Sequence, residues 1–421
     1  MRNLRVDRLV RNAAALIISG GGSAVLGVAF WSMATRTVSA ANIGKSSAEI
    51  TAMMLIATLA QLGLPPMFER FLPISGNRAQ GLVIRAYGMC VLASLVLGVA
   101  YMGLGLSNDF LPPGAIWHVV FVGSIALWTI FALQDSVLIG LRASVWVPVE
   151  NISYSVAKLG FIPVFVYWGK SNAIFSAWMA PLLFAILGVN WYLFKVRIPR
   201  HEVLVLSNEK FPTWRELASM TSAQYASQIV NAIAPLVIVL LIFRRLGAVS
   251  SAYYYIPTQI TSGVSLFLIS IVRSFLVEAS TEPLELRRHT QVALRSGIVV
   301  VLLSVGAGVI AAPQILQIFG PTYPEHGTTL MRLMLLSLLG FSITDFYSAL
   351  VWIERKVWAI VMRELVLTLL YFGIVLSTIS RFGILSVGIA SISTSSLQIV
   401  VFLGPLIRRY RKIKSNASRV S

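Results

Sequence analysis

The chain has 421 residues, 57% hydrophobic and only 12% charged, with a formal net charge of +18. A soluble domain carries about 25% charged residues, so a water-facing globular surface is excluded. The basic residues lie in short segments between apolar runs, which makes the excess charge a topology signal and not a nucleic-acid footprint.

The remaining reactive residues are sparse. Cys90 is the single cysteine and lies inside an apolar run, so neither an intramolecular disulfide nor a thiolate zinc cluster can be built. His118, His201, His289 and His326 are scattered without the H-E-x-x-H spacing of a zinc hydrolase. No catalytic residue, metal site or cofactor is implied, and the expectation is a protein that is not an enzyme. Gly44-Lys45-Ser46 resembles the end of a phosphate-binding loop, but Ser39 stands where the first glycine belongs.

Apolar runs of spanning length, about 20 residues, recur from end to end. They predict an all-α, polytopic membrane protein with twelve spans. The N-terminus carries Arg2, Arg5, Arg8 and Arg11 and leads into the first span, 12–35, read as uncleaved. The others follow at 47–67, 82–105, 115–140, 146–168, 172–195, 216–243, 252–276, 291–312, 327–350, 357–379 and 383–407. Prolines 65, 66, 163, 181, 235 and 257 fall within spans, where neighbouring helices can re-satisfy the freed backbone. With the N-terminus inside, most of the 34 Lys and Arg fall on inner segments. That distribution predicts a cell (inner or plasma) membrane protein with both termini cytoplasmic.

The two halves echo each other. Ile43-Gly44 opens the entry to span two, and Leu246-Gly247 the entry to span eight. Phe131 to Asp135 in span four matches Phe341 to Asp345 in span ten, and Val145-Trp146 matches Val357-Trp358. The polar stretch after span six separates them. The expected organisation is a six-helix lobe at 1–200, a cytoplasmic linker at 201–213, and a second six-helix lobe at 214–421 ending in a basic tail. Six spans per half makes these parallel repeats.

Lys158 stands out, because a mid-membrane lysine costs at least about 2.5–3.5 kcal/mol on insertion scales and marks a functional position by default. It either meets an anionic substrate or pairs internally with Glu150 or Asp135. Asp135 and Asp345, late in spans four and ten, are candidates for proton or cation coupling, or partners of Arg142 and Arg355. Arg36, Arg244 and Arg245 lie at outer span ends against the positive-inside trend, and either meet an anionic substrate or snorkel to headgroups. Arg363 and Glu364 are expected to form a local ion pair. Gln224, Gln228 and Asn231 share one helical face, lining a cavity or bonding to another helix.

Several ordered segments resemble the polysaccharide and O-antigen flippases. They are Ile315 to Tyr323 followed by Leu330 to Met334, Leu62 to Pro65 with Arg70-Phe71-Leu72, and Asn3 to Asn12 leading into a glycine-rich first span. Lys158 also fits a basic position common there. These flippases belong to the multidrug/oligosaccharidyl-lipid/polysaccharide exporter superfamily, and the resemblance covers nearly the whole chain. It implies two six-helix lobes around a central cavity and transfer of polyprenyl-diphosphate-linked oligosaccharide to the outer leaflet, as lipopolysaccharide and related surface glycans require. Lys158, Arg36, Arg244 and Arg245 would then meet phosphate or acidic sugar. Alternatives are a cation-coupled multidrug exporter of the same superfamily, or a membrane glycosyltransferase or polymerase. The expected partners are the lipid-linked glycan, membrane lipids and polysaccharide-assembly proteins, with anionic lipid or those proteins meeting the tail from Arg408 to Arg419, and no nucleic acid.

Overall fold

The computed structural model of the chain describes residues 22–169, 172–204, 214–281, 286–353 and 357–417, with side chains at some of these positions left undescribed. Hydrocarbon offers backbone N–H and C=O groups no partners, so each span must satisfy its own as a helix. The described residues form helices joined by short turns, and contain no strand. In chain order the helices are α1 (22–37), α2 (Ala40–Ala60), α3 (Leu64–Phe71), α4 (Ala79–Gly103), α5 (Ala115–Gly140), α6 (Trp146–Tyr167), α7 (Ala173–Tyr192), α8 (Ile198–Leu204), α9 (Trp214–Thr281), α10 (Leu286–Gln317), α11 (Tyr323–Ile353), α12 (Val357–Phe382) and α13 (Leu385–Ala417).

All twelve expected spans have a helical counterpart, with three departures. Span two is a bent pair: α2 starts at Ala40, well before the expected 47, and meets the segment Leu64–Ile74 at 53°. The break sits at Leu62 and Gly63, both at positive φ, and Pro65-Pro66 then open α3. Lys45, expected in a loop, is therefore on a helix. Spans seven and eight run on as α9, broken at Gly247, whose φ of 85° departs from helix geometry. Among the described residues, 8 helices are long and apolar enough to cross a membrane, or 9 counting the bent pair. Helix α6 falls below that hydropathy because it carries Glu150, Asn151 and Lys158.

The described residues pack as two units, Met1–Ala252 and Tyr253–Ser421. The first takes in the beginning of α9, beyond the lobe boundary expected near 200, and the contacts explain why. Gly44 on α2 lies so close to Ala248 that a Cβ would collide with its carbonyl, and Tyr225 Oη donates to the Leu59 carbonyl at 3.1 Å. Residues 205–213, most of the expected linker, lie outside the described residues. The core of this unit gathers Met67, Phe68, Val83, Cys90, Leu133 and Val137 from α3, α4 and α5, with Leu72 from the turn after α3. Arg197 closes one end by donating to the carbonyls of Leu141 (2.8 Å) and Arg142 (2.9 Å). Apolar side chains such as Leu92, Val96, Val119 and Phe184 stay exposed, as expected where the solvent is lipid.

The second unit is organised around α11 and α13. Gly340 approaches Ser395 closely enough for its N–H to donate to Ser395 Oγ at 3.1 Å, and a Cβ there would collide with the Ser395 carbonyl. Small residues at helix crossings permit this approach when lipid supplies no hydrophobic drive. Gly340→Ala is expected to destabilise the purified protein by about 1–3 kcal/mol through overpacking. Gly373→Ala, where a Cβ meets only open space, serves as the control. Equal melting temperatures for the two variants would show that the α11–α13 crossing is looser than described.

Candidate substrate site

Helix α6 buries Val147, Glu150, Tyr154, Lys158 and Ile162. These recur every three or four residues and so share a face. Lys158, in the middle of the helix, is 5% exposed. Its Nζ lies over the Trp178 ring at 3.8 Å from the centroid, and 5.2 Å from those of Phe30 and Tyr154. Helices α1, α6 and α7 each contribute one ring, and Tyr154 Oη donates to the Trp178 carbonyl at 2.9 Å, tying α6 to α7. Trp178 also contacts Phe30, Trp31 and Trp128, with centroids 5.2, 6.1 and 6.0 Å apart, and Phe131 joins through Trp128 and Tyr154. The expected internal partners do not reach the ammonium. Lys158 forms no ion pair among the described residues. Three π faces stand in for a counter-ion, each contact worth about 2 kcal/mol when desolvated.

Acidic groups occupy the same unit. Asp135 accepts from Asn151 Nδ2 at 3.2 Å through each carboxylate oxygen. Beside it Ser136 Oγ donates to Glu69 at 3.2 Å. In the second unit Arg363 donates to the Thr344 carbonyl at 3.4 Å and to Ser348 Oγ, and it feels the charge of Asp345. It also forms the expected ion pair with Glu364 at 3.4 Å. Counted from Trp146 and Trp358, Asn151 and Arg363 are equivalent positions. Each repeat therefore directs the same position of its fifth helix at the aspartate end of its fourth. Arg355, the other partner considered for Asp345, lies outside the described residues.

Two carboxylates were missed as candidates in their own right. Glu49 is fully buried and Glu150 nearly so, and all four oxygens lack a hydrogen-bond partner among the described residues. The signal for Glu49 was its place inside span two, masked by the serines before it.

Of the basic residues expected to meet substrate, Arg244 donates to the Leu106 carbonyl at 3.0 Å and pairs with Asp109 at 3.5 Å, while Phe243 packs edge-on against Phe110. It thus fastens α9 to the α4–α5 loop. Arg36 and Arg245 are exposed, and none of the three touches Lys158. Gln224, Gln228 and Asn231 lie on α9, but their side chains are outside the described set.

Residues 9–277 match the family model for "Polysaccharide biosynthesis protein". The chain belongs to that family. No curated protein sequence matches it. Among solved structures, this polysaccharide biosynthesis family member resembles an inward-facing multidrug resistance MATE family transporter of the MOP superfamily, with TM-score 0.66, 15% identity, and 94% and 96% of the two chains covered. An outward-facing structure of such a transporter gives TM-score 0.63 at 14% identity, covering 97% and 96%. A MOP superfamily transporter from Pyrococcus furiosus, described as having a binding pocket of reverse polarity that suggests a different function, gives the same values. At these identities the likeness is one of fold: an all-α, multi-pass membrane transporter architecture.

Lys158→Met is expected to leave the melting temperature unchanged or raised, since an apolar chain of similar length replaces a costly buried ion. A Lys158/Trp178 double-mutant cycle (Met and Leu) is expected to give a favourable coupling of about 0.5–2 kcal/mol. Zero coupling would mean that the indole does not hold the ammonium.

Proposed function

We propose that this protein moves polyprenyl-diphosphate-linked oligosaccharide from the cytoplasmic to the outer leaflet of the cell membrane for surface polysaccharide assembly, including lipopolysaccharide, with both termini cytoplasmic. The observation that carries this reading is the buried Lys158 ammonium, which has no carboxylate partner among the described residues. A diphosphate leaving water needs a charge-assisted donor, and Lys158 supplies one in the membrane-spanning part of a polysaccharide biosynthesis family member. Arg36, Arg244 and Arg245 form a basic end to the path, with Arg244 pre-oriented by Asp109. The process is transport, and no covalent step is part of it. The basic tail from Arg408 to Arg419 meets anionic lipid or assembly proteins on the cytoplasmic side.

A second reading, a cation-coupled multidrug exporter, draws on Glu49 and Glu150. Two buried, unpartnered carboxylates are suited to hold protons or to meet cations. Under the first reading the same groups serve the driving ion, together with Asp135 and Asp345.

In cells lacking the protein, lipid-linked oligosaccharide is expected to accumulate on the cytoplasmic leaflet while the matching surface glycan is lost. Lys158→Ala should fail to restore that glycan at a normal protein level. A normal lipid pool with new sensitivity to cationic toxins would favour the drug exporter. Full complementation by Lys158→Ala would remove the lysine from the site.

A further inference from the structure

Lys158 accounts for a phosphate, but its surroundings contain more than a phosphate uses. Three tryptophans, Trp31, Trp128 and Trp178, are in ring contact with one another through Trp178, on α1, α5 and α7. In membrane helices tryptophan concentrates at the two water interfaces, where its amphipathic ring suits the headgroups. Trp128 is instead in the middle of α5, and Trp178 covers a residue in the middle of α6. Interface anchoring therefore does not account for it. Core filling does not account for it either, because Trp178 Nε1 is buried and finds no acceptor among the described residues. A buried unsatisfied N–H is destabilising, and a leucine or phenylalanine at this position would avoid it.

Two hydrogen-bond donors are thus buried together, the Lys158 ammonium over the Trp178 face and the Trp178 indole N–H, with Trp31 and Trp128 in ring contact with Trp178. The chemistry that satisfies such a set is an anion joined to a ring-shaped group rich in acceptor oxygens and C–H bonds. Oxygen takes the donors, and C–H edges pack on the electron-rich faces of the indoles. We propose that this aromatic box recognises the junction of sugar and phosphate in the substrate. Lys158 holds the phosphate, Trp178 Nε1 donates to an oxygen of the first sugar, and Trp31 and Trp128 supply the faces on which that sugar packs. This rests on the export of a lipid-linked glycan proposed above and adds what reads the first sugar. With Phe30, Trp31, Tyr154 and Trp178 all buried, the rings are closed over Lys158, and the substrate enters by displacing Trp178 from the ammonium.

The test uses the full chain in phosphatidylethanolamine/phosphatidylglycerol nanodiscs and two probes. One is a ten-carbon prenyl diphosphate, and the other is the same lipid diphosphate carrying a single N-acetylhexosamine or hexose. Wild type is expected to bind the glycosylated probe about three- to tenfold more tightly than the bare one. Lys158→Met should weaken both. Trp178→Phe keeps a π face on the ammonium but removes the N–H, so it should bind the bare probe as wild type does and lose the preference for sugar. Trp128→Leu should lose the preference in the same way, and it covers the case in which Trp178→Phe fails to fold. The proposal is overturned if wild type binds both probes equally, or if either folded tryptophan variant keeps the full preference. Binding of neither probe by wild type would sink the export reading along with it.

Discussion

Hydrocarbon cannot hydrogen-bond, and the rest of this structure depends on that. Because the backbone must satisfy itself, the spans are helices, and because lipid supplies no hydrophobic drive between them, close crossings form at small residues. Gly44 against Ala248 and Gly340 against Ser395 are such crossings. The same solvent turns each buried charge into an exception that needs a local reason. Tie points such as Asn151 with Asp135, and Arg363 with Glu364, provide it by pairing. Lys158 is met by three rings and by no ion pair among the described residues, and the carboxylates of Glu49 and Glu150 have no hydrogen-bond partner there.

Those exceptions are unevenly useful as functional pointers. Asp135 and Asp345 looked alike in sequence, and the structure gives each a neighbour from the following helix. The same pairing position thus recurs in both halves. Arg244 drew attention by violating the positive-inside trend, and its position is explained by Asp109 and the Leu106 carbonyl. Lys158 keeps its unexplained charge after its neighbours are known, which is why the functional argument rests there.

Much of the fold was legible in the sequence because span length and hydropathy are dictated by bilayer thickness, whatever the tertiary contacts. The repeat was legible through paired residues such as Val145-Trp146 and Val357-Trp358. What escaped was geometry between distant segments. The bend at Leu62-Gly63 follows from positive φ at two adjacent residues; Gly63, Pro65 and Pro66 mark a break there in the sequence but not its 53° angle. Helix α9 reads as two spans, yet its first half packs with the preceding helices, a choice made by the Gly44–Ala248 approach. Lys158 was legible as a lone charge, but its cage comes from Phe30 and Trp178, which lie on other helices and resemble any other apolar residue in sequence. Of the two alternatives for Lys158, the internal pair with Glu150 or Asp135 does not form among the described residues.

Counted from Trp146 and Trp358, the position of Lys158 falls on Leu370 in the second repeat. The duplicated plan carries a deep cation in one half and a hydrocarbon side chain in the other. Two identical halves would grip a charged cargo equally, with nothing to tell one from the other. A single lysine makes the pair unequal, so under the proposed function an anionic head has its deep cationic partner in the first repeat alone.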